Sequence, residues 1–196
     1  MRDDRRLSVE KPAWETEDKK IKINCFGRLS IYQEGQEMGI VMNSRKAREL
    51  IAFLMTYQGA AVSKVTVCEA LWGDADIQRS LDSLYKLVKK IRRMPISFQL
   101  KSNRGMLQLK LDNVESDLLQ FEKLMGERDC IENLEQAVKL YRGSLYEEEN
   151  YEWISEKDAF YDNLYVDTIS FLKTHFQQQK ESERACYYES LLERYA

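Results

Sequence analysis

Apolar and polar residues alternate from Ile21 onward, whereas residues 1–20 are charged and polar without such a period. The alternating apolar residues are Ile21, Ile23, Cys25, Leu29 and Ile31. A period of two is typical of half-buried strands, and the Glu34-Gly35 pair predicts the turn that follows them. We therefore expect a tail or linker over residues 1–20 and then a small antiparallel sheet.

Three helical patterns follow the predicted strands. They run from a cap at Asn43 or Ser44 to Gly59, from a cap at Ser63 to Gly73, and from Ile77 to Met94. Serine and asparagine favour helix starts, glycine favours helix ends, and Pro95 ends the third helix. Alternating apolar residues on both sides of residues 102–105 then predict a β-hairpin. Strands, three helices and a closing hairpin predict a winged helix-turn-helix domain over residues 21–112.

Beyond that domain the pattern is helical throughout. The predicted helices cover residues 115–126, 129–142, 151–178 and 182–195. Helices joined by short loops pack as antiparallel hairpins, either in a bundle or in a tetratricopeptide-like stack. We see no strict repeat, but we favour the stack. The predicted fold class is therefore α+β, with a winged helix-turn-helix domain followed by an all-α, tetratricopeptide-like domain over residues 113–196.

The third predicted helix has two different faces. At about 100° per residue, one arc collects the apolar residues Ile77, Leu81, Leu84, Leu87, Val88 and Ile91. The opposite arc carries Arg79, Asp82, Ser83, Lys86, Lys89, Lys90 and Arg93, and Tyr85 and Arg92 flank it. A basic helical face of this kind can enter the major groove of DNA, where its cations meet phosphates and guanine edges.

The hairpin adds polar residues that can contact DNA. Lys101, Asn103 and Arg104 lie at its tip, where they would reach a neighbouring phosphate or the minor groove. A basic helical face by itself is as often simply solvated. The preceding helix, the tight turn at Gly73 and the following hairpin favour DNA binding.

Charge is divided unevenly along the chain. The first 110 residues carry 21 Lys and Arg against 13 Asp and Glu, a net charge of +8, whereas the remaining residues carry 9 against 20, a net charge of −11. A basic half joined to an acidic half is typical of a protein that meets nucleic acid on one side only. The acidic half suits a basic protein surface instead.

Other kinds of site find little support. Four cysteines (Cys25, Cys68, Cys130 and Cys186) lie far apart, with no C-x-x-C pair and only His175 to assist them, so we expect no metal or other cofactor. The acidic run Glu147-Glu148-Glu149 is interpreted as a solvated loop, and we find no catalytic constellation or phosphate-binding glycine loop that would predict an enzyme. No small-molecule ligand is evident. No apolar stretch approaches the ~18 residues of a membrane helix, and isolated thiols suit the cytoplasm.

Several motifs in order resemble a family of bacterial regulators. They are Phe26-Gly27, the run Arg45-Lys46-Ala47-Arg48-Glu49-Leu50, Leu71-Trp72-Gly73-Asp74, Ser83-Leu84-Tyr85, Val88-Lys89-Lys90-Ile91-Arg92-Arg93, Asp117 with Phe121-Glu122 and Leu124, Leu140-Tyr141-Arg142-Gly143, and Trp153. Over residues 21–196 the chain resembles the Streptomyces antibiotic regulatory protein (SARP) family, in which an OmpR-like winged helix precedes a bacterial transcriptional activation domain. Lys89, where the family usually has serine, and Gly105-Met106 at the wing depart from its pattern, and the second domain is short for the family.

The resemblance implies an activator whose partners are double-stranded promoter DNA, bound at direct repeats, and RNA polymerase, with a homo-oligomer on DNA as a further expectation. An alternative is a protein-interaction module in which the winged helix no longer binds DNA and the acidic half docks a partner. Absence of binding to any promoter fragment would favour that alternative.

Overall fold

The computed structural model describes residues 19–39, 43–73 and 75–195. Most of the predicted tail and Asp74 of the Leu71–Asp74 motif lie outside these ranges. The strands are β1 (Ile21–Asn24), β2 (Ser30–Gln33), β3 (Gln36–Glu37), β4 (Val62–Ser63), β5 (Leu100–Asn103), β6 (Met106–Leu109) and β7 (Val114–Ser116). The helices are α1 (Arg45–Met55), α2 (Lys64–Trp72), α3 (Ile77–Ile91), α4 (Asp117–Gly126), α5 (Ile131–Leu140), α6 (Ser155–Gln178) and α7 (Ser182–Leu192).

The first sheet has the strand order β3-β2-β1-β7. Strands β1, β2 and β3 are antiparallel, and Glu34 and Gly35 turn the chain with φ angles of 51° and 80°, as predicted. The fourth strand corrects the sequence prediction, because residues 115 and 116 were expected to start a helix. They belong instead to β7, which pairs in parallel with β1, so that Ile23 lies opposite Ser116.

Helices α1, α2 and α3 confirm the three predicted helices, with shorter ends. Ser44 and Ser63 occupy the N-cap positions of α1 and α2, and the Ser63 hydroxyl accepts a hydrogen bond from the Thr66 N–H at 3.0 Å. Helix α3 ends at Ile91, three residues before the predicted end. The predicted apolar arc is wrong at Ile77. This side chain is the first of α3, and it is 43% exposed and not buried in the core.

The predicted hairpin is the β5–β6 pair, and it forms a three-stranded sheet with β4 in the order β4-β6-β5. Arg104 and Gly105 make its turn, with φ angles of 41° and 82°. Strand β4 has only two residues, too few for a period to predict it. It holds the wing beside the start of α2, where the Lys64 N–H donates to the Gly105 carbonyl at 2.8 Å.

The second half contains the four predicted helices, each starting or ending a few residues from its predicted bounds. A short 3₁₀ turn at Glu152–Ile154 precedes α6. Consecutive helices pack together as the pairs α4 with α5 and α6 with α7. Helix α5 ends at Leu140, two residues before its predicted end, so Arg142 lies just after the helix. The Arg142 guanidinium donates to the buried Asp117 carboxylate at 2.7 Å.

One apolar core runs through both halves of the chain. The Phe26 ring, which is 1% exposed, packs against the rings of Phe121 and Tyr141, with centroids 5.1 Å away in both cases. The buried Tyr146 hydroxyl donates to the Ala52 carbonyl of α1 at 3.1 Å. Together with the β1–β7 pairing, these contacts attach the helical half firmly to the winged half.

Candidate nucleic-acid interface

Helix α3 is amphipathic, and its start is fixed by a cap that the sequence pattern did not predict. The Asp76 carboxylate accepts a hydrogen bond from the Arg79 N–H at 3.0 Å. Leu84, Leu87, Val88 and Ile91 are buried beneath the helix. The exposed positions predicted to contact DNA are Arg79, Tyr85, Lys86, Lys89 and Lys90, followed by Arg92 and Arg93 in the next turn.

Ser83 is the member of the predicted face that is least available to a ligand. It is half-buried, and its hydroxyl donates to the Arg79 carbonyl one turn earlier at 2.9 Å. Serine commonly makes this bond inside helices. A base or phosphate would have to compete with that bond, so Ser83 contributes less to the exposed face than the cations around it.

Most of the predicted cations keep their charge available to a ligand. Among the described residues, no ion pair involves Arg79, Lys86, Lys89, Lys90, Arg93, Lys101 or Arg104. Lys101, Asn103 and Arg104 are all exposed on the wing. Unpaired, solvated cations on one helix and an adjacent hairpin form a surface that attracts a polyanion.

Arg92 makes a hydrogen bond within the protein that the sequence did not predict. Its guanidinium donates to the Leu100 carbonyl at 2.7 Å, which ties the end of α3 to the first strand of the wing. Part of its hydrogen-bonding capacity is therefore used within the protein. Arg92 positions the wing relative to α3, and its remaining donors stay exposed.

Lys64 joins the helix and the wing, although no sequence pattern predicted this role. Its main-chain N–H holds the wing turn through the Gly105 carbonyl, and its ammonium nitrogen lies 4.8 Å from the centroid of the Tyr85 ring. Lys64 itself is buried and Tyr85 is 51% exposed, so the lysine supports the ring from the inner side. Lys64 therefore contacts both Tyr85 of α3 and the turn of the wing.

The basic run that opens α1 takes no part in this surface. Arg48 pairs with Glu149, whose carboxylate is only 8% exposed, and Lys46 pairs with Glu49 at 2.8 Å. The Arg45 guanidinium donates to the Asn150 carbonyl at 3.4 Å. The interpretation of residues 147–149 as a solvated loop is therefore wrong for Glu149, which anchors the loop to α1.

The cysteines are separate thiols with different surroundings. Cys25 and Cys68 are buried, Cys130 is half-buried and Cys186 is exposed. Burial and the nearby Asp117 charge raise the pKa of the Cys25 thiol to about 12, so it stays protonated near neutral pH. Within the described ranges, no three His, Cys, Asp or Glu side chains are grouped to hold a metal ion, and no helix is long and apolar enough to cross a membrane.

Comparison with solved structures identifies the fold. The chain is similar to Mycobacterium tuberculosis EmbR, a SARP-family regulator whose structure was determined in complex with a low-affinity phosphopeptide. The TM-score is 0.57 at 15% sequence identity, over 90% of this chain and 56% of the EmbR chain. This chain thus spans little more than half the length of that regulator. No protein-family model matches the sequence, and no curated protein does either.

The likeness to EmbR confirms an α+β chain in which a winged helix precedes a helical region. The likeness therefore concerns the fold. At this level of identity, the similarity concerns the arrangement of the elements and not the residues on their surfaces.

Proposed function

We propose that this protein is a sequence-specific DNA-binding transcription regulator that reads the major groove with α3 and contacts flanking DNA with the wing. The observation that carries the proposal is the surface formed by α3 and the β5–β6 turn, where seven cations have no ion pair among the described residues. Lys64 and Arg92 hold the two elements of this surface together. The EmbR-like fold supports the proposal, since EmbR is a transcription regulator.

We further propose that the regulator is an activator that binds direct repeats as a homo-oligomer and recruits RNA polymerase through its helical half. The net charge of −11 beyond residue 110 supports DNA binding by the first half of the chain and protein binding by the second. An acidic surface is repelled by DNA and attracted by a basic protein surface. The helical half would then extend away from the DNA toward its protein partner.

The test is a binding measurement on the intact chain, using a duplex selected by that chain from a random-sequence library. In the Lys86→Ala/Lys90→Ala variant, we expect weaker binding, and the slope of log affinity against log salt should fall by about two units, one for each lost phosphate contact. Lys157→Ala serves as the matched control, because Lys157 is an exposed lysine on α6. An unchanged affinity and slope in the double variant would contradict the assignment of α3.

The alternative, a protein-interaction module, rests on a separate observation. Helix α6 exposes the large apolar residues Phe160 and Phe171, and α7 exposes Tyr187, each about half accessible. Aromatic side chains are enriched where proteins bind proteins. If the intact chain selects no duplex from the library at low salt and still co-purifies a polymerase subunit, this second function replaces the first.

A further inference from the structure

A cleft of about 490 Å³ lies between the first sheet and the start of the helical half. Strands β1 and β7 form one wall, and α4 and the end of α5 form the other. Its cations are Lys22 on β1, Lys123 on α4, Lys139 on α5 and Arg142 just after α5. The cleft is on a different set of elements from α3 and the wing, so the proposed DNA-binding surface does not account for it.

The cleft is positively charged, whereas the helical half of the chain, which forms most of it, is acidic. Residues beyond 110 contain nine Lys and Arg, and three of these nine (Lys123, Lys139 and Arg142) line this one cleft. The carboxylates of Glu115 and Asp117 are its acidic groups, so its lining has a net formal charge of +2. A local positive site within an acidic region concentrates small anions there.

Both carboxylates are already engaged by the protein. Glu115 pairs with Lys20 at 3.2 Å, outside the cleft lining. Asp117 accepts hydrogen bonds from the Cys25 N–H at 2.7 Å, the Leu118 N–H at 2.8 Å and the Arg142 guanidinium at 2.7 Å. The acids are therefore occupied within the fold and are poorly placed to neutralise the lysines.

The three lysines, in contrast, are free to bind an anion. Lys22, Lys123 and Lys139 are exposed, and among the described residues they form no ion pair. The Arg142 side chain is 51% exposed, and its bond to Asp117 uses one of its five N–H donors. Ammonium and guanidinium groups that converge on a recess are the usual ligands of phosphate groups in proteins.

The size and the remaining lining suit a small molecule. A volume of about 490 Å³ falls within the range of small-molecule sites, about 300 to 1,000 Å³. Val114, Leu119 and Leu140 supply apolar surface beside the cations. We propose that this cleft binds a phosphorylated small molecule, with its phosphate groups on Lys22, Lys123, Lys139 and Arg142 and its carbon skeleton against the apolar residues.

Calorimetric titration of the full chain with inorganic pyrophosphate tests the proposal. We expect the wild type to bind pyrophosphate, and the Lys123→Gln/Lys139→Gln variant to bind it roughly tenfold or more weakly, since two charge-assisted contacts are lost. The matched control is Lys157→Gln/Lys180→Gln, which removes the same charge from exposed lysines of the same half. The control should bind pyrophosphate within about twofold of the wild type.

Three results would overturn the proposal. They are the absence of pyrophosphate binding by the wild type, an equal loss in the cleft and control variants, and a loss in the Lys86→Ala/Lys90→Ala variant as large as that in the cleft variant. The last result would assign phosphate binding to α3 instead. Because DNA binding is measured separately, the cleft proposal can fail while the DNA-binding proposal stands, and the reverse.

Discussion

Asp117 connects more parts of the molecule than any single motif of the sequence suggests. Its carboxylate, which is 5% exposed, bonds to main-chain N–H groups of Cys25 and Leu118 and to the Arg142 guanidinium. Those partners come from the end of β1, the start of α4 and the segment after α5. A buried carboxylate with several donors orders all of these segments relative to one another.

Replacement of Asp117 should therefore destabilise the folded protein. In Asp117→Ala, we expect the free energy of unfolding to fall by about 3 kcal/mol, because buried donors lose their acceptor and Arg142 loses its counter-ion. Urea denaturation measures this change. Glu115→Ala is the control, since its exposed pair with Lys20 should contribute less than about 1 kcal/mol. Equal stabilities for the two variants would contradict the role of Asp117.

Burial should determine which cysteines react with an alkylating agent. The thiolate is the form that attacks an alkylating agent, and the pKa of about 12 leaves almost no Cys25 thiolate at pH 8. Cys186 is exposed, so the reagent can reach it. With iodoacetamide at pH 8, we expect Cys186 to be modified in the folded protein and Cys25 only after unfolding in urea. Peptide mass spectrometry gives the order, and comparable native rates at both sites would be inconsistent with the burial of Cys25.

At the scale of elements, α3 depends on its cap and on its two attachments. Asp76 caps its first turn, Lys64 supports Tyr85 from below, and Arg92 fastens its end to the wing. The predicted helix already has a basic face and an apolar face. These attachments link α3 to the wing, so that under the proposed function cations from both elements would act on the same DNA.

Removal of the Asp76 cap should weaken α3 without changing its basic face. We expect Asp76→Ala to lower the free energy of unfolding by about 1 kcal/mol, because the Arg79 N–H loses its partner and the helix dipole loses a favourable charge. Thermal and urea denaturation report this change. The control is Asp82→Ala, an exposed position on the same helix where alanine should leave stability unchanged or slightly raised. A stable Asp76→Ala variant would show that the cap contributes nothing.

At the scale of the whole molecule, contacts cross the predicted boundary between residues 112 and 113. Strand β7 completes the sheet that β1 begins, and the ring of Phe26 packs among aromatic rings of the helical half. The division into a winged domain and a helical domain stays a prediction. The contacts lead us to expect that both parts unfold together, since neither can bury its apolar surface without the other.

Phe26→Ala tests this cooperativity. Removing a fully buried aromatic ring costs about 3–5 kcal/mol, and the cavity would open next to both halves. By hydrogen exchange and mass spectrometry, we expect α1 and α5 to lose protection by similar factors. Phe160→Ala is the control, because Phe160 is 54% exposed and should change neither helix. Loss of protection in α1 with α5 unchanged would show that the two halves unfold independently.

Much of the fold is predictable from the sequence because the relevant patterns are local. The first antiparallel strands, the three helices, the β5–β6 hairpin and the helical second half all follow from periods of two or about 3.6 residues and from turn residues such as Gly35 and Gly105. The exposed cations of α3 follow from the same helical period. Errors of a few residues at helix ends arise because the sequence pattern of a helix can continue past its last turn, as it does after Ile91.

Other features depend on residues that are far apart along the chain, and these features arise when the chain folds. No local signature predicts the pairing of β7 with β1, the Arg142–Asp117 bond, the Lys64–Tyr85 contact or the cleft that Lys22 and Lys139 both line. Local patterns predicted the helices, most of the antiparallel strands and the basic face of α3, because those properties repeat within a few residues. Packing of the core decided where these faces meet, because that depends on the shapes and partners of the whole set of buried side chains.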